Sequence, residues 1–248
     1  MPVYFAQLLQ LSGVKLMNNI AANLAKIHDR IAKACLKTGR NPEEVRLIAV
    51  SKVKPAELIE EAFHSGQILF GESYVQEFRN KEPLVKASVQ WHFIGGLQSN
   101  KVKYLRGKVA MIHSVDRISL AEEIDRQWGK IDSSVEILLQ VNVAGEASKS
   151  GCAPENLENL VRLIAPLSNL RIKGLMCLPP HSDDPEQVRP FFRQLCELSA
   201  QINKLHLPGV SMTELSMGMS GDFEVAVEEG ATLVRVGTAI FGARIKQV

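Results

Sequence analysis

The sequence predicts a single α/β domain folded as a (β/α)8 barrel. Short apolar runs alternate with amphipathic helical stretches along the chain, eight such runs occur, and 248 residues is the length of one such barrel. Strict alternation of strand and helix implies a parallel sheet, and eight units are the number that closes it. An open doubly wound sheet is the alternative. No GxGxxG follows the first strand, which weakens a dinucleotide-binding version of that sheet.

The elements follow in order. Ile20, Leu24, Ile27, Ile31 and Cys35 recur every three or four residues, one stripe of an amphipathic helix that Gly39 ends. Asn41 and Pro42 then supply a cap and a first-turn proline. The β-branched run 45–52 reads as a buried strand. Helices are expected over 55–64, 74–85, 97–105, 118–128, 154–167, 184–205 and 223–229. The other strands are expected over 68–73, 89–95, 109–115, 135–143, 170–178, 212–218 and 232–242. No linker or low-complexity run interrupts this span. Residues 1–16 are apolar with no positive charge before Lys15, unlike a secretory signal, and read as an extension ahead of a domain over 17–248.

Composition narrows the function classes. At 46 % hydrophobic and 23 % charged residues the chain is ordinary for a soluble globular protein. A net charge of +2 is too mild to argue for nucleic acid. No stretch approaches the ~20 apolar residues of a membrane span. Cys35, Cys152, Cys177 and Cys196 form no CxxC pair, and scattered thiols fit the reducing cytoplasm. The six histidines show no metal-ligand spacing, so no metal is expected.

In such a barrel the active face lies at the C-terminal ends of the strands. Lys52 ends the first strand and shares parity with Ile48 and Val50, which delivers its amine to the mouth of the barrel. Arg235 lies inside the eighth strand and needs a partner, because an unpaired buried charge is costly. That partner is either a carboxylate such as Glu214 or Asp222, or a ligand. The loops after strands seven and eight are glycine-bearing, with Ser216, Met217, Gly237 and Thr238 at their starts. Barrel enzymes bind phosphate in these loops through backbone N–H groups. His92, Met176 and Cys177 read as core residues. No GxSxG elbow or paired carboxylate dyad appears. A lysine, a buried arginine and a phosphate cup at one mouth suggest a phosphorylated carbonyl compound held as an imine. Pyridoxal 5′-phosphate (PLP) fits that set.

The sequence closely resembles the pyridoxal phosphate homeostasis proteins. The resemblance rests on AVSKVKP around Lys52, FGESYVQE at 70–77, WHFIGGLQSNK at 91–101, SKSG at 148–151, GLMCLPP at 174–180, and LSMGMSGDFEVAVEEGATLVRVGTAIFGAR at 215–244. It covers about 17–244. It implies a single-domain barrel like the N-terminal domain of alanine racemase (PLP fold type III), PLP on Lys52 as an aldimine, and a role in intracellular vitamin B6 balance. Ser73 stands where the family usually has asparagine, and Gly96 where it usually has proline. Ser73 and Lys149 are secondary site candidates. The expected protein is a monomeric carrier or buffer, passing PLP to PLP-dependent apo-enzymes and contacting neither nucleic acid nor membrane. A PLP-dependent amino-acid racemase is the alternative. Such racemases carry a second domain, for which the sequence after the eighth strand leaves no room. A barrel enzyme acting on a sugar phosphate is a third reading.

Overall fold

The computed structural model describes residues 19–146 and 149–243. The expected extension over 1–16 lies outside these residues, as do Ser148 and Arg244 of the matched motifs.

The first half of the chain runs α1 (Ile20–Lys37), β1 (Arg46–Val50), α2 (Ala56–His64), β2 (Leu69–Glu72), α3 (Val75–Lys81), β3 (Gln90–Phe93) and β4 (Met111–Val115). The second half runs α4 (Ile118–Gly129), β5 (Val135–Gln140), α5 (Leu157–Ile164), β6 (Leu170–Met176), α6 (Arg189–Asn203), β7 (Val210–Ser216), α7 (Phe223–Glu228), β8 (Leu233–Val236) and α8 (Thr238–Phe241). The eight strands pair in parallel and in sequence order, and β8 closes on β1 with Ile48 opposite Arg235. The expected (β/α)8 barrel is the observed fold.

Alternation along the strands sorts side chains into two cores. Ile48, Met111, Leu138, Met176 and Leu233 fill the barrel interior. A larger core, including Leu47, Ala49, Phe70, Trp91 and Phe93, lies between sheet and helices. Each fully buried Leu, Ile or Phe side chain contributes roughly 1.5–3 kcal/mol. The stripe predicted for α1 is its buried face, joined by Ala34. The Asn19 side chain caps the helix by accepting from Ala22 N at 2.9 Å. Asn23 then donates to the Ile240 carbonyl at 2.9 Å, which ties α1 to the end of the barrel where β8 finishes.

Three expected elements differ from the structure. The run 232–242 is not one strand: β8 stops at Val236, and Phe241 N bonds Gly237 O to form the turn of α8. A short apolar run has no periodicity long enough to separate strand from helix. The expected helix over 97–105 is a 3-10 helix at Ser99–Tyr104. β5 ends at Gln140, and beyond it Val141 keeps only a single bridge to Cys152.

Candidate functional site

A cavity of about 860 Å³ opens where the C-terminal ends of the strands converge. Its wall includes Lys52, Ser73, Lys149, Arg235, Gly237 and Thr238, so six residues singled out from sequence meet at one place. Ser216 and Met217 do not line it. Ser216 is the last residue of β7, fully buried beneath Arg235. Met217 keeps the strand alternation for one more step and packs in the outer core, with its N–H on Leu233 O at 3.1 Å. The loop reaches the cavity later, through Met219, Ser220, Gly221 and Asp222.

Lys52 follows β1 in the parity of Ile48 and Val50, and its half-buried side chain lies on the cavity wall. It occupies a β-turn closed by Lys54 N donating to Ser51 O at 3.0 Å. Opposite in register to the middle of β1, Arg235 is 4 % exposed. Its guanidinium donates to Ser216 Oγ at 2.6 Å and to Cys177 O at 2.8 Å. Neither Glu214 nor Asp222 pairs with it. Glu214 is bound to Arg46 at the other end of the barrel, at 2.5 Å. Asp222 uses its carboxylate on Met219 N. Burial pulls Arg235 below the usual guanidinium range. Among the described residues this cavity-wall cation hydrogen-bonds a hydroxyl and a carbonyl, and the Asp222 carboxylate on the same wall acts on it through charge without closing an ion pair.

Beneath Arg235 a polar column runs through the barrel interior. Ser216 Oγ lies 2.9 Å from His113 Nδ1, and His113 Nε2 lies 2.9 Å from His92 Nδ1. Burial pushes His92 down to about 4 and His113 well below its usual value, so both imidazoles are neutral. One polarity satisfies the whole column: Arg235 donates to Ser216, Ser216 to His113, and His113 to His92. His92 is thus the satisfied core histidine expected from its strand.

Ser220, Gly221, Gly237 and Thr238, from the two loops expected to cup a phosphate, form part of the cavity wall. A Cβ on Gly237 would sit 3.1 Å from the Val50 carbonyl, tighter than ordinary contact, so a larger residue here would push the end of β1 by a few tenths of an ångström. Ser220 and Gly221 spend no backbone N–H on another backbone group among the described residues. Gln140, in parity with Leu138, is a wall residue that the strand pattern could have supplied; it donates to Ser150 O at 2.9 Å and fixes the loop bearing Lys149. Unspent backbone donors, a buried guanidinium outside any ion pair and an amine fit a phosphorylated aldehyde bearing a ring acceptor. A second, smaller cavity at the other end of the barrel, about 350 Å³, holds charges already paired as Arg46 with Glu214. Among the described residues no His, Cys, Asp and Glu cluster could hold a metal, and no helix is long and apolar enough to cross a membrane.

The family profile described as alanine racemase, N-terminal domain, matches residues 17–245. A curated relative from Aquifex aeolicus, named pyridoxal phosphate homeostasis protein, is 47 % identical over 91 % of this chain and 99 % of its own length. The chain belongs to the pyridoxal phosphate homeostasis protein family. The Pseudomonas aeruginosa pyridoxal phosphate homeostasis protein is 44 % identical over 92 % of this chain and 97 % of its own. Among solved structures, PipY of Synechococcus elongatus PCC7942, determined with PLP bound, is 36 % identical with a TM-score of 0.79, covering 90 % of this chain and 100 % of that one. Ser73 and Gly96, where the resemblance leads one to expect asparagine and proline, both fall on the cavity wall.

Proposed function

We propose that the chain binds pyridoxal 5′-phosphate in this cavity, holds it covalently on Lys52, and serves as a carrier or buffer in vitamin B6 homeostasis. The observation that carries the reading is Arg235, a buried guanidinium on the wall that also bears Lys52, hydrogen-bonded to a hydroxyl and a carbonyl and closing no ion pair with the nearby Asp222. The PLP-bound PipY and the family's curated names support the cofactor.

When bound, PLP supplies an aldehyde that condenses with amines and a ring that withdraws electrons. Lys52 would supply the amine that condenses with that aldehyde. Ser220, Gly221, Gly237 and Thr238 offer backbone and hydroxyl donors to the phosphate. Arg235 only donates, so a pyridine nitrogen facing it accepts and stays unprotonated. That makes a poor electron sink and disfavours racemisation, which is why we place the chain with carriers. The four cysteines are free thiols, which supports a reducing cytoplasmic setting. In this reading the chain works as a monomer and hands its cofactor to PLP-dependent apo-enzymes.

The test is visible absorption of the purified chain with added PLP, then borohydride reduction and peptide mass mapping. Labelling of Lys52 is expected; labelling of another lysine instead overturns the assignment. Chiral analysis of alanine and other amino acids after long incubation separates the racemase reading. Turnover on the order of 1–10³ per second would establish it.

A further inference from the structure

The turn that carries Lys52 is strained. Val53 sits at φ +60°, a left-handed conformation that β-branched residues avoid. The third position of such a turn ordinarily takes glycine or asparagine. Burial of the valine does not explain it, since the side chain is 51 % exposed. Strain of this kind persists only where the surroundings over-determine it.

Those surroundings are a buried ion cluster on the outer face of β1 and β2. Lys81, the last residue of α3, is 6 % exposed. Its ammonium has three donors and all three are used: on Ser51 O at 2.8 Å, Glu72 Oε1 at 2.7 Å and Glu77 Oε1 at 2.5 Å. Ser51 Oγ donates to the same Glu72 oxygen at 2.7 Å. Glu77 Oε1 also accepts Val53 N at 2.6 Å. The residues before and after Lys52 are therefore each gripped by this cluster. On the other flank Lys54 Nζ donates to the carbonyls of Phe241, Gly242 and Ala243, at 2.9–3.0 Å.

We propose that Lys81, Glu72 and Glu77 form a clamp that positions Lys52, holding Val53 left-handed so that the Lys52 amine enters the barrel mouth. These residues lie behind the sheet and act through the backbone of residues 51–53. The inference rests on the reading of Lys52 as the cofactor-bearing lysine. Glu77 is the residue to test. Its side chain is partly exposed, so its loss does not strand a fully buried charge.

Four full-length proteins are compared: wild type, Glu77→Ala, Glu77→Gln, and Glu77→Ala with Val53→Gly. Two probes are used. PLP reports the covalent link, through its absorption band and borohydride trapping at Lys52. Pyridoxine 5′-phosphate, which lacks the aldehyde, reports the cavity alone. In Glu77→Ala, PLP affinity and trapping rate are expected to fall about tenfold, the scale of one charge-assisted hydrogen bond, while pyridoxine 5′-phosphate binding is unchanged. Gln keeps an oxygen for Val53 N, and glycine adopts positive φ unaided, so both further proteins should recover loading. Equal PLP loading in wild type and Glu77→Ala overturns the clamp. So does an equal loss of both probes, or failure of both recovering variants. If wild type itself is not labelled at Lys52, the underlying assignment falls instead.

Discussion

The Arg235 guanidinium donates to the Ser216 hydroxyl across 2.6 Å, from β8 to β7, inside the barrel. The hydroxyl is the hinge between the cavity wall and the column of neutral histidines below it. Ser216→Ala removes both of its hydrogen bonds and leaves a guanidinium hydrogen of the buried Arg235 without its hydroxyl partner. A loss of about 1–3 kcal/mol in unfolding free energy is expected, measured by denaturant titration. PLP affinity should fall as well, because Arg235 loses the contact that fixes its plane. Stability and affinity both within error of wild type would show that Arg235 is held by Cys177 O alone.

The column also gives the fold an acid sensitivity. His92 has a folded value of about 4 against 6.5 when unfolded, and burial lowers His113 in the same direction. Below pH 6.5 the unfolded chain binds protons that these imidazoles refuse, so stability falls as pH falls toward 4. From pH 6.5 to 5 His92 alone removes about 2 kcal/mol. Glu72 works oppositely: burial raises its carboxyl above 4.5, so its contribution shrinks as pH rises past that value. His92→Gln does not titrate and should flatten the acid limb in denaturant unfolding between pH 5 and 7. An unchanged limb would move the acid sensitivity to other groups.

How much of this was legible in the sequence depended on distance along the chain. Lys52 was readable because two-residue parity links it to Ile48 and Val50 within one strand. Arg235 was readable by the same rule. The seventh loop was read too early, at Ser216 and Met217, because alternation does not announce where a strand ends. The partner of Arg235 stayed open between a carboxylate and a ligand, and the sequence offered neither Ser216 nor Cys177 for the part. Its actual partner, Ser216, is 19 residues away, and Cys177 is 58 residues away. The Lys81 clamp joins β1, β2 and α3, and no local pattern pairs Ser51 with Glu72. Its trace in the sequence was only a charge on an otherwise ordinary amphipathic helix.

Gly95 and Gly96 are neighbours on the cavity wall with opposite demands. A Cβ on Gly95 would lie 2.2 Å from Ser73 O and 2.6 Å from Ser73 Cα, both backbone atoms. A Cβ on Gly96 meets nothing within 4 Å, and its φ is not positive. Gly95→Ala should therefore cost about 3 kcal/mol or more by overpacking. Gly96→Ala should gain roughly 0.4–1 kcal/mol by narrowing the unfolded ensemble. Thermal melts of the two proteins check the order. A melting temperature lowered more by Gly96→Ala would mean that the wall at Ser73 gives way and that Gly96 is under constraint.

Lys149 reaches the cavity wall from an exposed loop position. Its backbone is held close by: Lys149 N donates to Glu146 O at 3.0 Å, and Ser150 O accepts from Gln140 at 2.9 Å. One residue further, a Cβ on Gly151 would sit 2.7 Å from Asn142 N, so the loop is pinned against the end of β5. The freedom of the amine is thus that of a long side chain on a fixed base, long enough to sample the rim. If the chain is a carrier, an imine is released fastest by passing to a second amine, and Lys149, on the same cavity wall as Lys52, is the residue to test for that role. A charge that only steers the phosphate would serve equally well as arginine. Lys149→Ala should keep the Lys52 absorption band and slow delivery of PLP to an apo-enzyme acceptor. Lys149→Arg separates the two roles: it forms no imine, so delivery stays slow if transfer is the role and returns to wild type if charge is. Equal delivery rates in all three proteins would leave Lys149 an ordinary surface residue.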